Sequence, residues 1–566
     1  MKRVIKTAVA LSMSLAMVSP LCYRPILADE SEKGTESSLE SNSEESENTT
    51  VSPKEKKLIK VLTPESSNGK FKLVEREQYP IWKEFEKLLD QYGLELDLEV
   101  VNREQYKNTI QTRLNSSTDL PDFANIGSIS QSNIAEMGKR GLIRDLKDML
   151  DLGDGTAKKF FTEGKGKNSW SLNTFDDGSV YWISQVQEIS FGGQPKSTNM
   201  NAQIRKDWLD KVGLDMPSNI DELYEALLAF QEKDVNGNGQ KDEVVTIDFS
   251  NFNNGVAQWF GLVNDMTSLK IEDGKFSDII SPWHQKGLKD YFLFLRKLHD
   301  AGLLDPTVIG STEENKNIEN NKASMIFNYT MATWNEPKIA SASDALYLNF
   351  GGLDAKTEDH PLIISEPASM SYGRWGFTSV AKDDEAIARL LDFLCSDKYA
   401  ELTYLGIEGV TYEIVDGRPK LLPIAGHDKY EEAYKQGIVI GDYLWANGGC
   451  FPKRRYMPME NEIETVRANY PLKADQQEEF TKYEYLVPTD KNSFLPVANI
   501  DQMNRMSLIA TDLTTRSQEI SASLVLGDLD IEDLDSLVAE LDDLGLTELI
   551  QIDQERLDRA RELGIV

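Results

Sequence analysis

Cysteine, histidine and positive charge are all in short supply in this 566-residue chain. Cys22, Cys395 and Cys450 are too few to build a disulfide scaffold. If Cys22 leaves with a leader, Cys395 and Cys450 either pair or remain as two buried thiols. His284, His299, His360 and His427 show no metal-ligand spacing. Lys and Arg number 61 against 94 Asp and Glu, a net charge of −33. That deficit excludes nucleic acid and anionic lipid surfaces as partners, because both need basic patches. No Walker-type phosphate loop, nucleophile elbow or Ser/His/Asp arrangement is present, so the chain is not itself an ATPase and shows no recognisable catalytic motif. Nor does any apolar run reach the roughly 20 residues that span a bilayer.

The longest such run near the start covers residues 8–18, after Lys2, Arg3 and Lys6. A positive start and a short apolar stretch describe a secretory signal. Two processing points are open: cleavage after Ala28, giving a signal peptide over 1–28, or lipid modification of Cys22. Residues 29–57 are Ser, Glu, Asn and Thr with almost no large apolar side chain. Such a segment cannot bury enough surface to offset its ordering entropy and is expected to be a disordered tether. The expected location is therefore outside the membrane, at the cell surface, lipid-tethered or secreted.

The remainder is long enough for two lobes with separate cores. Residues 57–62 read as a strand. Trp82, Phe85, Leu88 and Leu89 fall on one face of a helix over 79–92. A strand over 94–101, a helix over 103–114, a strand near 120–126 and a helix over 134–150 continue the alternation. This order predicts an α/β fold with parallel strands and helices on both faces of the sheet. A second α/β block begins near Ile204, with helices over 207–212, 220–232 and 286–301 and strands over 244–249 and 323–327. A strand over 376–380 and a helix over 384–394 return to the first block. The expected domains are a first lobe over 58–200, a second over 201–372, and 373–566 returning to the first lobe and ending in helices shared between the two. The acidic stretch from Asp528 to Asp543 reads as a solvated helix face.

The most informative local motif is Asp234-Val235-Asn236-Gly237-Asn238-Gly239-Gln240-Lys241-Asp242-Glu243. Oxygen-bearing side chains at alternate positions wrap a hard cation, and Gly239 permits the sharp turn. The first half matches an EF-hand loop. The second half departs from it: the twelfth position is Val245, and Asp242 and Glu243 supply carboxylates earlier. The motif predicts a structural Ca2+ loop between a helix and a strand. Its ligands are the side chains of Asp234, Asn236, Asn238, Asp242 and Glu243 and the carbonyl of Gln240. The plain alternative is a metal-free Asn-Gly turn.

The run over 201–214, centred on Arg205-Lys206-Asp207-Trp208-Leu209, precedes Pro217 and a helix leading into this loop. Together these resemble the family 1 extracellular solute-binding proteins, in the branch of alginate-oligosaccharide-binding and lipoprotein-like members. Gly302-Leu303-Leu304-Asp305-Pro306, Arg374-Trp375-Gly376-Phe377 and the run over 406–413 resemble later landmarks in the same order. The resemblance implies a two-lobed, periplasmic-binding-protein-like fold (type II) with several hinge crossings. It also implies hinge closure on a carbohydrate, an oligosaccharide in the first instance, and delivery to an ABC permease with a separate ATPase. The protein itself is expected to act as a monomer without catalysis.

A sugar offers hydroxyls at its rim and apolar C–H faces, so its cleft combines aromatic platforms with polar side chains. Trp82 and Trp208 lie on amphipathic helices and read as core. Trp334 follows the strand-to-loop run Ala323-Ser324-Met325-Ile326-Phe327-Asn328-Tyr329, where the resemblance implies a sugar-stacking tryptophan; Asn328 and Tyr329 go with it. Trp182, Trp259 and Trp375 are further candidate platforms. Arg374 is a candidate partner for a carboxylate, and Ser128 a candidate hydroxyl contact after the third strand. The rival classes are a secreted carbohydrate-active enzyme and a surface adhesin or sensor subunit on the same fold. With 94 acids, a carboxylate pair found by sequence carries no weight.

Overall fold

In the computed structural model of the protein, residues 55–65, 72–187, 200–329, 371–422 and 494–566 are described apart from single positions and short loops. Residues 342, 344–349, 353–355, 363–365, 454–455, 486–488 and 491 are described as well. The expected leader, nearly all of the expected tether, Trp334 and Cys450 lie outside the described residues.

The chain contributes four early strands, β1 (Lys57–Pro64), β2 (Leu94–Val101), β3 (Phe123–Asn125) and β4 (Ile183–Gln187). Next come β5 (Met200–Arg205), β6 (Val244–Thr246), β7 (Ser268–Glu272) and β8 (Lys275–Ile280). They are followed by β9 (Ala323–Tyr329), β10 (Tyr347–Asn349), β11 (Ile363–Ser365) and β12 (Ser371–Phe377). The last are β13 (Tyr412–Val415), β14 (Arg418–Leu421), β15 (Arg454–Arg455) and β16 (Leu486–Pro488). The first lobe's sheet has the order β15-β4-β12-β3-β1-β2, and the second lobe's has β10-β5-β9-β6. A third sheet, β11-β16-β7-β8, and the β13-β14 hairpin complete the set.

The parallel pairing expected from the βαβ order holds for β1 with β2 and β3, and for β6 with β9. The returning strand β12 departs from it, running antiparallel between β3 and β4. β5 likewise pairs antiparallel with β9 and β10. Both main sheets are thus mixed, because strands that arrive from the other lobe enter in the opposite direction.

The first sheet is covered on both faces. In β1, Ile59 and Val61 join one core while Leu62 joins the other, as the period of two requires. Helix Pro80–Gln91 begins with Pro80 in its first turn, where a missing N–H costs nothing. It buries Ile81, Trp82, Phe85, Leu88 and Leu89 on one stripe. Five such side chains contribute about 10 kcal/mol of gross burial energy. Helix Asp384–Cys395 packs beside it and carries Cys395 into the same core. Helices Arg103–Ser116 and Gln131–Lys139 cover the opposite face through Tyr106, Ile110, Leu114 and Ile134. The helix expected over 134–150 stops at Lys139, because the chain turns left-handed at Gly141 with φ of 71°.

The second lobe has one large core. Trp208 and Leu209 of helix Lys206–Val212, Leu223 to Phe230 of helix Ile220–Glu232, and Tyr291 to Leu298 of helix Leu288–Asp300 all enter it. Residues from 509 to 549 enter the same core. Helix Ile500–Leu526 gives Ile509, Leu513, Ile520, Leu524 and Val525, and the helices Leu534–Asp543 and Leu546–Glu562 add Leu537, Leu541, Leu546 and Leu549. Met503, near the start of helix Ile500–Leu526, instead lies in the first lobe's core, so this helix is packed into both lobes. No helix among the described residues is long and apolar enough to cross a membrane.

Candidate ligand cleft and calcium loop

β3 ends at Asn125, and the chain turns through 126–130 before helix Gln131–Lys139, whose start is capped by Ser130. Asn125 holds the turn by accepting the N–H of Gly127 at 2.9 Å. From the adjacent strand β12, Arg374 donates to the carbonyl of Gly127 at 2.7 Å and to that of Ile129 at 3.2 Å. Its guanidinium lies 6.0 Å from the Trp182 ring centroid, at the outer limit of a cation–π contact. Ser128, Arg374 and Trp182 are therefore brought together where β3 ends. That is the end of an α/β sheet at which ligands are generally held. The Ser128 hydroxyl is shielded and has no hydrogen-bond partner among the described residues. Gln111 adds a contact to the Ser128 carbonyl at 3.5 Å. Sequence reasoning missed Gln111, since a lone glutamine inside a helix carries no signal.

The indoles are placed differently from expectation. Trp182 and Trp375 are only 1% exposed and Trp259 only 3%. Trp182 donates its ring N–H to Asn173 at 2.9 Å and meets Phe175 edge-on. Trp375 fills the first lobe's core, and Trp259 fills the second's, far along the chain from the other two. None of the three presents an open ring face in this structure, so their reading as exposed platforms gives way to one of packing. β9 extends through Asn328 and Tyr329. Their side chains, like all of Trp334, lie outside what the structure describes. A cavity of about 510 Å3 opens elsewhere, on the second lobe between Trp283, His284, Lys289, Glu532 and Asp535, and it contains none of the predicted contacts.

The loop over 234–243 joins helix Ile220–Glu232 to β6, as predicted. Gly237 and Gly239 take φ of 73° and 78°, and Asp234 is itself left-handed at 46°. Such values admit glycine freely and Asp or Asn more readily than other residues. Asp234 accepts the N–H groups of Asn238 at 3.1 Å and Gly239 at 2.8 Å. Asn236 and Asn238 both donate their amide N–H to Asp242, at 3.0 and 2.9 Å. Glu243 is fully buried; one carboxylate oxygen accepts from Asn236 N–H at 3.3 Å and the other has no hydrogen-bond partner among the described residues. The Gln240 N–H donates to the Asn238 side chain. Burial pushes the Glu243 carboxyl up. Burial acts the same way on Asp242, but Lys322 and the two amides outweigh it and hold that carboxyl below its ordinary range.

Among the described residues no three acidic, histidine or cysteine side chains form a metal cluster. The loop's oxygens are instead shared between carboxylates and amides. They fit a hard cation on one observation: a buried carboxylate oxygen with no partner is costly unless something compensates it.

The comparisons come from sequence and from shape. A stretch of 197 residues is 32% identical to the fructooligosaccharide ABC transporter substrate-binding protein FusA of Streptococcus pneumoniae, covering 34% of this chain and 36% of that one. Over 258 residues it is 30% identical to lipoprotein LipO of Bacillus subtilis, covering 43% of this chain and 49% of LipO. The matches thus span about half or less of these curated relatives. An extracellular solute-binding protein from Bifidobacterium longum subsp. infantis superposes with a TM-score of 0.67 at 18% identity, over 89% of this chain and 98% of that one. An EF-hand mutant of Streptococcus pneumoniae FusA in complex with fructo-nystose gives 0.62 at 20% identity, over 89% and 100%. The alginate-binding protein AlgQ2 without calcium ion gives 0.60 at 19%, over 89% and 98%. No family model matches the chain.

Proposed function

We propose that this chain, which has the two-lobed fold of the extracellular solute-binding proteins and is related in sequence to substrate-binding proteins of ABC transporters, captures an oligosaccharide outside the membrane and presents it to an ABC permease. One observation carries the reading. Two separately cored lobes are tied together by strands and by helix Ile500–Leu526, and the predicted polar contacts Ser128 and Arg374 meet at the end of β3. Contacts to both lobes exist only when the clamp is shut, so a ligand that makes them shifts the population toward closure. Asn328, Tyr329 and Trp334 are the second lobe's share of those contacts, with Trp334 stacking on the sugar. Calcium in the 234–243 loop serves the second lobe's stability and takes no part in binding sugar. The reading includes export through the N-terminal leader, display by a tether or secretion, action as a monomer, and binding without turnover.

A thermal-shift screen against neutral and acidic oligosaccharides, followed by calorimetry on hits and chromatography of the recovered glycan, tests this. Saturable binding with intact glycan is expected. Cleaved glycan would move the protein to the carbohydrate-active enzymes. No hit across the panel would remove carbohydrate from the reading.

A further inference from the structure

We infer that Lys322 is a built-in competitor for the cation of the 234–243 loop, which lowers the loop's calcium affinity and supports the lobe when calcium is absent. The inference rests on the calcium reading proposed above.

Lys322 comes from outside the loop, in the turn before β9. Its ammonium lies 2.9 Å from Oδ2 of Asp242. The backbone that delivers it is fixed on both sides. The Lys322 N–H donates to Asn317 at 2.8 Å, and its carbonyl accepts the N–H of Val244, the residue after Glu243, at 2.9 Å. Asn321 just before it is left-handed, with φ of 59°, and its side-chain oxygen receives the buried Arg205 guanidinium at 2.6 Å. The ammonium is thus held against the loop by the same backbone contacts that join the loop to the sheet.

The hydrogen-bond donors on Asp242 are the amides of Asn236 and Asn238, both to its other oxygen, Oδ1. An amide can rotate to exchange its NH2 for its oxygen, and so turn from a donor to Asp242 into a ligand for a cation. An ammonium has no acceptor to offer. It therefore remains a positive charge on a carboxylate that the cation also needs. In calcium-free protein the same charge neutralises part of a cluster holding Asp234, Asp242 and Glu243 within ten residues. One substitution should therefore have two effects of opposite sign.

Calcium titration of the full chain by calorimetry, with melting in EDTA as a second measurement, tests the pair. Lys322→Gln keeps polarity and most of the length and removes the charge. Because Lys322 is partly exposed and screened, its removal should tighten calcium binding by about three- to tenfold. It should also lower the melting temperature in EDTA and widen the calcium-induced shift. Lys241→Gln, an exposed lysine of the same loop, should change affinity by less than about twofold. Equal or weaker calcium binding by Lys322→Gln, with wild type binding normally, overturns the role of Lys322 and leaves the calcium reading intact. Absence of calcium binding in wild type overturns both.

Discussion

Asp553 on the last helix is fully buried, and its removal should loosen one region of the protein selectively. Its carboxylate receives the Lys491 ammonium at 2.6 Å, the Thr267 hydroxyl at 2.7 Å and the Arg556 guanidinium at 2.7 Å. Lys491 also contacts the Thr267 hydroxyl, and Arg556 donates to the Pro496 carbonyl at 2.8 Å. The cluster thereby ties the C-terminal helix to the start of β7 and to the segment that leads into helix Ile500–Leu526. Asp553→Ala strands two buried cations, a change that costs about 3–5 kcal/mol. Thr267→Val removes two hydrogen bonds, one given to Asp553 and one accepted from Lys491, and should cost about 1–3 kcal/mol. A two-lobed chain is a poor candidate for a single global unfolding energy. The informative assay is hydrogen exchange read by peptide. Protection should fall over Ser268–Glu272 and Leu546–Glu562 and stay unchanged over Pro80–Gln91 in the first lobe. Burial alone would raise the Asp553 carboxyl, but Lys491 and Arg556 outweigh it and the net direction is downward. A folded value below the unfolded one of about 3.9 means the contribution is complete above that value and is lost as pH falls through the folded value. The gap between wild type and Asp553→Ala should therefore begin to narrow below about pH 4 and go on narrowing as pH falls. Unchanged exchange over the last helix, or a gap that persists into acid, would falsify the cluster as an anchor.

Two further outcomes follow from the sites. Glu243→Gln removes a buried charge whose second oxygen has no partner among the described residues, so in EDTA the variant should be as stable as wild type or up to about 1 kcal/mol more stable. In calcium the order should reverse, because the carboxylate ligand is gone; identical melting curves with and without calcium for both proteins would count against the loop. Trp334→Ala should weaken oligosaccharide binding about tenfold or more in calorimetry while leaving melting of the free protein nearly unchanged. Undiminished affinity would take Trp334 out of the site.

The strand–helix order of both lobes was legible because amphipathic stripes such as Trp82-Phe85-Leu88-Leu89 carry a period that only a helix satisfies. The loop between helix Ile220–Glu232 and β6 was legible for a similar reason: its oxygen-bearing side chains and glycines sit in ten consecutive residues. The third sheet was not. β11 and β16 meet across more than a hundred residues, and β7 and β8 are short strands that sequence pattern does not set apart from loop. Direction was equally hidden, since nothing in Ser371–Phe377 announces that it will enter between β3 and β4 antiparallel. The proposed cleft contacts were legible as residue types but not as neighbours. Arg374 and Ser128 meet as a strand and a loop brought together by β12–β3 pairing. A tryptophan, by contrast, reads the same in sequence whether its ring faces a sugar or, like Trp182, Trp259 and Trp375, a core.

The proposed metal loop and the proposed sugar contacts also stand in a defined relation, and that relation is testable. Lys322 opens the approach to β9, and Asn328 and Tyr329 close the strand. At about 3.3 Å per residue the two ends are about 20 Å apart. Between them β9 is held on both sides, by β5 in register from Ile204 to Met200 and by β6 through Thr246. Met325, Ile326 and Phe327 are buried within it. A strand fixed in this way transmits melting but not small displacements: the loop can raise the temperature at which β9 is lost without altering where its far end sits. Sites this far apart, with no shared side chain, contribute nearly additively. Calorimetry well below the melting temperature should therefore return oligosaccharide affinities within about twofold in calcium and in EDTA. The calcium-induced gain in melting temperature should likewise survive Trp334→Ala. A large loss of sugar affinity on chelation, in protein shown to be folded, would mean that the loop sets the position of the β9 terminus as well as its stability.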